Sequence, residues 1–183
     1  FSGTNAHLVL EESPRRAARA RAARHGYMIV LSARTKTALK QRVNDLLNAL
    51  RAHGDEGELG DVAYTLQEGR RRLPVRLALV VSSLKELCSK LSDWLDGTRY
   101  EGLCEGDLKA APAVTGDAAK GAGRLLLNRI AEGGLRTQEY LTALAQLAEL
   151  FVAGCELEWG ELYRAGGYRR LSLPTYPFEG KRY

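Results

Sequence analysis

Two β-type runs constrain what this chain can fold into more than any other feature. Tyr-Met-Ile-Val-Leu-Ser-Ala (residues 27–33) and Val-Arg-Leu-Ala-Leu-Val-Val (residues 75–81) are rich in branched apolar residues, and each is followed at once by a helix-start signal. After the first run Thr35 is placed as an N-cap. Leu39, Val43, Leu46, Leu47 and Leu50 then recur at helical spacing until Gly54. An apolar stripe of that kind must be buried, and the adjoining strand is the nearest surface for it. A second stripe, Leu59, Val62, Ala63 and Leu66, ends at Gly69 and predicts a helical hairpin with the first. Past Pro74, Val75, Leu77 and Leu79 alternate with Arg76 and Ala78, the pattern of a strand covered on at least one face. Ser83 and Glu86 then form the Ser-x-x-Glu capping box of a helix carrying Leu84, Leu87, Cys88, Leu91 and Leu95 up to Gly97.

Beyond Gly97 the local signals thin out. A short third strand is expected over 100–103, interrupted by Gly102, and the small, glycine-containing residues of 106–123 predict a loop. Order is expected to return with a short helix over 125–132, ahead of Gly133 and Gly134. Thr137 is placed as the cap of a stronger helix carrying Leu141, Leu144, Ala148 and Phe151 as far as Gly154. Trp159 and Tyr163 follow, and in the final arm, 171–183, Pro174 and Pro177 exclude regular helix. The expected fold class is α/β, a small sheet of about three strands packed with helices, flanked by extended N- and C-terminal arms.

At 183 residues, 45% hydrophobic and 27% charged, the chain can bury one sizeable core and is neither disordered nor a disulfide-stapled miniature. Its net charge of +5 is concentrated around Arg15, Arg16, Arg19, Arg21 and Arg24. No aromatic residues interleave that run, so it reads as a solvated basic linker and no nucleic-acid partner is expected. Cys88, Cys104 and Cys155 are odd in number and widely spaced, matching neither a disulfide framework nor a zinc pattern, and suit a reducing cytoplasm. Apolar stretches such as 77–81 are too short to span a bilayer, so no membrane partner is expected either. The chain opens on Phe1 rather than Met, which reads as part of something longer.

Chemistry-bearing motifs are sparse. There is no Gly-x-Ser-x-Gly nucleophile elbow, and Gly116, Gly121 and Gly123 lack the Lys-Ser/Thr ending of a phosphate-binding loop. His7, His25 and His53 have no partner at metal-ligand spacing, so neither metal nor cofactor is expected. His53 is placed as a helix C-terminal cap and His25 in solvent. His7 differs, because it closes a Gly-Thr-Asn-Ala-His loop just ahead of an apolar run, 8–10, expected to be a strand.

Three stretches resemble a known family. Gly3-Thr4-Asn5-Ala6-His7, followed by Leu8-Val9-Leu10-Glu11-Glu12, is similar to the last active-site motif of type I ketosynthases, with Ser2-Gly3 where that family usually has two glycines. Asp61-Val62-Ala63-Tyr64-Thr65-Leu66-Gln67 with Gly69-Arg70 resembles the ketosynthase-to-acyltransferase linker domain of modular polyketide synthases. Leu173-Pro174-Thr175-Tyr176-Pro177-Phe178, with Arg182 and Tyr183, resembles their post-acyltransferase linker, and Trp159 and Tyr163 match the segment before it.

The resemblance implies that His7 assists decarboxylation of the extender unit, though only within an intact ketosynthase with its cysteine and second histidine. It implies that Tyr176, Pro177, Phe178, Arg182 and Tyr183 pack onto the ketosynthase and the linker domain. The expected organisation is a ketosynthase end (1–14), a basic linker (15–26), an α/β linker domain (27–105), a loop or remnant in place of an acyltransferase (106–136), a helical segment (137–170) and the linker arm (171–183). An acyltransferase of about 300 residues has no room between these flanks, a pattern similar to synthases served by a trans-acting acyltransferase. The expectation is therefore a non-catalytic, cytoplasmic module whose partners are the ketosynthase of the same chain and, as a candidate, a trans-acting acyltransferase. The alternatives are a pure spacer or a contribution to ketosynthase catalysis through His7.

Overall fold

The computed structural model describes residues 7–9, 24–53, 59–111, 113, 114 and 116–177. Among them the elements run β1 (Tyr27–Ala33), α1 (Lys36–His53), α2 (Leu59–Glu68), β2 (Val75–Val81), α3 (Leu84–Leu95), β3 (Cys104–Asp107), α4 (Asp117–Glu132), α5 (Thr137–Val152) and a 3-10 turn (Trp159–Tyr163). The strands form one three-stranded antiparallel sheet in the order β1-β2-β3, giving the mixed α/β class. β1 and β2 pair along their whole length, from Tyr27 opposite Val81 to Ala33 opposite Val75. Both strands are buried at nearly every position because helices cover both faces, α1 and α3 on one side and α5 on the other.

Local signals account for the first half of the chain. Thr35 Oγ1 accepts the backbone N–H of Ala38 at 3.1 Å and opens α1. Ser83 Oγ accepts the N–H of Glu86 at 3.1 Å, while Glu86 reaches back one residue further than the expected box. Its Oε2 takes the N–H and the hydroxyl of Ser82, at 2.8 and 2.7 Å. The expected hairpin of α1 and α2 is replaced by separate docking. α1 packs on α3 and β1, whereas α2 spends its stripe on β1 and the 3-10 turn.

The later elements depart further from the local signals. The third strand forms at 104–107 rather than 100–103. Gly102, at φ +82°, turns the chain first, and Trp94 Nε1 holds Glu105 Oε1 at 2.7 Å beside the pairing of Cys104 with Ala78. The end of the stretch read as a loop already belongs to α4, which begins eight residues before the short helix expected at 125. Glycines lower helix propensity by about 1 kcal/mol each. At Gly123, however, a β-carbon would lie 2.5 Å from Leu157 Cδ2, so close packing favours glycine, and Leu127 and Ile130 bury the rest of that face. α5 starts with Thr137 as its first residue, not as its cap. Glu139 Oε2 accepts the N–H of Arg136 at 3.1 Å, placing the boundary one residue earlier. The apolar run expected as a strand after His7 is not one within 7–9, where no strand partner lies among the described residues, and Leu8 and Val9 are 82% and 91% exposed.

Candidate interaction site: the clasp that holds the C-terminal arm

The residues of α2 that carry the linker-domain resemblance face the C-terminal arm. Asp61 and Thr65 lie one turn apart, and both are buried. Asp61 Oδ1 accepts the N–H of Arg169 at 2.7 Å, and Thr65 Oγ1 accepts the N–H of Leu171 at 2.9 Å while donating to Asp61 O at 2.7 Å. Just past the helix, Arg70 Nη2 donates to Leu173 O at 2.8 Å and to Pro174 O at 3.4 Å. Alternate arm residues 169, 171 and 173 are thus gripped in turn, as an extended segment presents them. Between the last two, the N–H of Leu173 returns to Leu171 O at 3.0 Å, a tight local turn that stops the arm from acting as a sheet strand. The arm then reaches the turn between β1 and α1, where Tyr176 Oη accepts the N–H of Arg34 at 3.1 Å.

The start of the arm is held by stacked phenols. Tyr163 packs edge-on against both Tyr64 and Tyr168, with centroids 4.9 and 4.7 Å apart. The Arg24 guanidinium lies over Tyr168, Tyr163 and Tyr27 at 5.4, 5.6 and 5.8 Å and donates to Leu162 O. Burial, reinforced by the neighbouring Tyr168, pushes the Tyr27 hydroxyl well above the usual phenol range. Burial does the same for Tyr163 against the opposing pull of Arg24, so both remain protonated donors at neutral pH. Tyr163 Oη donates to Gln67 Oε1 at 2.6 Å, and Gln67 Nε2 donates to Met28 O at 2.6 Å, covering part of the free edge of β1. Arg42 Nη1 does so again at Ser32 O, at 2.7 Å.

Of the residues expected to matter, the structure brings Tyr176 to the domain surface and leaves Pro177 half-buried beside it. His7 is exposed. Phe178, Arg182 and Tyr183 lie outside the described residues, as do Arg15, Arg16, Arg19, Arg21 and the side chain of His53. His25 is exposed, as expected of a linker residue, yet its Nδ1 lies 3.2 Å from Thr137 Oγ1 and its ring meets Tyr140 edge-on. Sequence reasoning missed Gly60, Arg24 and Tyr168. A β-carbon on Gly60 would lie 2.9 Å from both Tyr168 Cε1 and Tyr27 Oη, so glycine admits the phenols. An isolated glycine inside a helical pattern was the available signal.

None of the three cysteines is set up as a nucleophile. Burial raises the thiols of Cys88, Cys104 and Cys155, which favours the unreactive protonated form. Among the described residues no cluster of His, Cys, Asp or Glu could hold a metal ion, and no helix is long and apolar enough to cross a membrane. What the arrangement can do is fix a proline- and tyrosine-bearing arm against one flank of a rigid domain.

The chain is similar to known polyketide synthase proteins. Residues 27–91 match the family described as CurL-like, PKS C-terminal. Over 99% of its length the chain is 33% identical to the polyketide synthase PksL of Bacillus subtilis strain 168, of which it spans 4%. It is 36% identical over 98% of its length to PksR of the same organism, spanning 7% of that protein. Among solved structures, a ketosynthase from module 6 of the bacillaene synthase of Bacillus subtilis 168 matches with a TM-score of 0.71 and 28% identity. That match covers 89% of this chain and 29% of the other. Ketosynthase twelve of the bacillaene synthase of Bacillus amyloliquefaciens gives a TM-score of 0.68 at 27% identity, over 90% of this chain and 26% of the other.

Proposed function

For a chain whose residues 27–91 belong to the CurL-like polyketide synthase C-terminal family, we propose a non-catalytic role as the module that flanks a ketosynthase and orients it relative to its neighbours. The observation that carries this reading is the clasp. The stretch resembling a linker domain supplies Asp61, Thr65 and Arg70, and they hold the stretch resembling a post-acyltransferase linker. Rigid, aromatic-bearing arms of this kind lose little entropy when they pack on a larger body. The exposed Leu8 and Val9 supply apolar surface at the other end for the same purpose. Between β3 and α5 the chain has room for α4 and its connections only, which supports a module that relies on a trans-acting acyltransferase.

The docking half of the proposal is tested by calorimetric titration of the chain with a free acyltransferase. Saturable heat in the micromolar range supports a docking surface, and no heat at high micromolar concentration reduces the module to a spacer. The non-catalytic half is tested by incubation with an activated acyl thioester. Mass spectrometry is expected to find no stable adduct, since burial raises all three thiols; an adduct would overturn it. His7 belongs to catalysis only if His7→Ala abolishes decarboxylation in an intact ketosynthase.

A further inference from the structure

Where Tyr176 meets the turn into α1, a cavity of about 470 Å³ opens that is lined by Arg34, Arg42, Arg70 and Arg71 together with Leu73 and Tyr176 and, among the described residues, by no carboxylate. Its floor is made of two partly satisfied guanidiniums. Arg42 is 5% exposed and donates Nη1 to Ser32 O, while Arg70 uses its Nη atoms on the carbonyls of Gly69, Leu173 and Pro174, leaving a buried Nε with no acceptor among the described residues. Burial, and after it the charge of Arg70, disfavours the charged form of Arg42. An arginine nonetheless keeps its charge in a protein, so the repulsion stands unless a counter-charge enters.

The rim adds to this imbalance. Arg34 and Arg71 are exposed, and neither guanidinium has an acceptor or an ion-pair partner among the described residues. The Lys109 ammonium sits on the carbonyl of Arg34 at 2.7 Å, bringing a fifth cation to the same corner. α1 begins here, with Thr35 lining the cavity and no acidic residue in its first turn, so the positive end of the helix is not offset. The carboxylate of the clasp, Asp61, is spent elsewhere, on the N–H of Arg169.

We propose that this cavity is a binding site for a phosphate-type oxyanion, held by Arg34 and Arg71 at the rim and Arg70 and Arg42 at the floor. Guanidinium forks match phosphate oxygens in pairs, and a dianion neutralises a convergence of arginines better than a single carboxylate does. A cavity lined, among the described residues, by one aromatic side chain suits a small phosphate group rather than an extended nucleic-acid strand, which would need a groove and stacking surfaces. The site shares Arg70 and Tyr176 with the clasp, but it requires only that the arm is held there and would stand if the orienting role failed.

The probe is inorganic phosphate, titrated into the full chain at constant ionic strength with chloride as the balancing anion. Single-site binding with a Kd of about 1 mM or tighter is expected. Each rim substitution, Arg71→Ala or Arg34→Ala, is expected to weaken it about tenfold or more, the loss of one charge-assisted contact. Arg129→Ala, an exposed arginine on α4, is expected to leave it unchanged. The rim residues are exposed, so their removal leaves the fold intact, which circular dichroism verifies. Equal weakening by all three substitutions, or no saturation, would reduce the effect to general charge and overturn the proposal. Acetate binding as tightly as phosphate would overturn the preference for a dianion and assign the cavity to a carboxylate.

Discussion

Gly106 lies on the short edge strand β3, and a β-carbon there would fall 2.1 Å from the carbonyl oxygen of Val152. A backbone atom cannot swing aside as a side-chain end can. Gly106→Ala is therefore expected to cost about 2–3 kcal/mol, seen as a lower urea midpoint. Gly121 is the opposite case, exposed within α4 and with nothing inside 4 Å of a β-carbon. Gly121→Ala is expected to stabilise by about 0.5–1 kcal/mol, through helix propensity and reduced freedom of the unfolded chain. Glu86 titrates abnormally for an identifiable reason. Partial burial works against its ionised form, but Lys90 and the N–H and hydroxyl of Ser82 outweigh it and hold the carboxyl at about 2. Its folded pKa is thus depressed, so its contribution is present above the ordinary carboxylate value and is lost as pH falls through 2. The side chain is 34% exposed, so the loss is expected to stay below ~1 kcal/mol after screening. Acid titration of Glu86→Gln against the parent reads it as a smaller drop in stability between pH ~4.5 and ~2.

At the scale of elements, α2 is both a core helix and the clasp. Its apolar stripe was legible from spacing, because burial on β1 follows the helical period. Its polar face was not, since Asp61 and Thr65 answer residues more than a hundred positions away. Thr65→Val removes the acceptor for Leu171 N–H without changing the shape of the side chain much. It is expected to speed amide exchange at Leu171 and Arg169 about tenfold or more, with β1 and β2 unaffected, and hydrogen-exchange mass spectrometry measures it. Uniform acceleration across the sheet would mean that the arm is not a separable element. α4 makes the converse point. Glycines within its span weaken the local helix signal, yet Gly123 packs under Leu157 and α4 lies on α5 and the 3-10 turn, so tertiary burial overrides propensity.

At the scale of the whole molecule, one hydrogen-bond chain ties the layers together. Met28 of β1, Gln67 of α2 and Tyr163 of the 3-10 turn are linked by contacts of 2.6 Å each. Tyr163→Phe leaves Gln67 Oε1 buried without its donor and is expected to cost about 1–3 kcal/mol. The loss should appear as a single transition, with tryptophan fluorescence from Trp94 and Trp159 and far-ultraviolet circular dichroism shifting together. Separate shifts would divide the arm side of the domain from the sheet.

What the amino-acid sequence determined by itself is the set of locally coded elements. The bounds of β1 and β2, the Thr35 start of α1 and the Ser83 start of α3 rest on side-chain period and on caps within a few residues, and both are local physics. Only the tertiary structure decided the placement of β3, the length of α4 and the grip of α2 on the arm. It also decided the convergence of Arg34 from the turn after β1, Arg42 from α1 and the adjacent Arg70 and Arg71 from the turn after α2. Each of these depends on partners distant in sequence, where the cost of approach is met by burial and hydrogen bonding that no local pattern records.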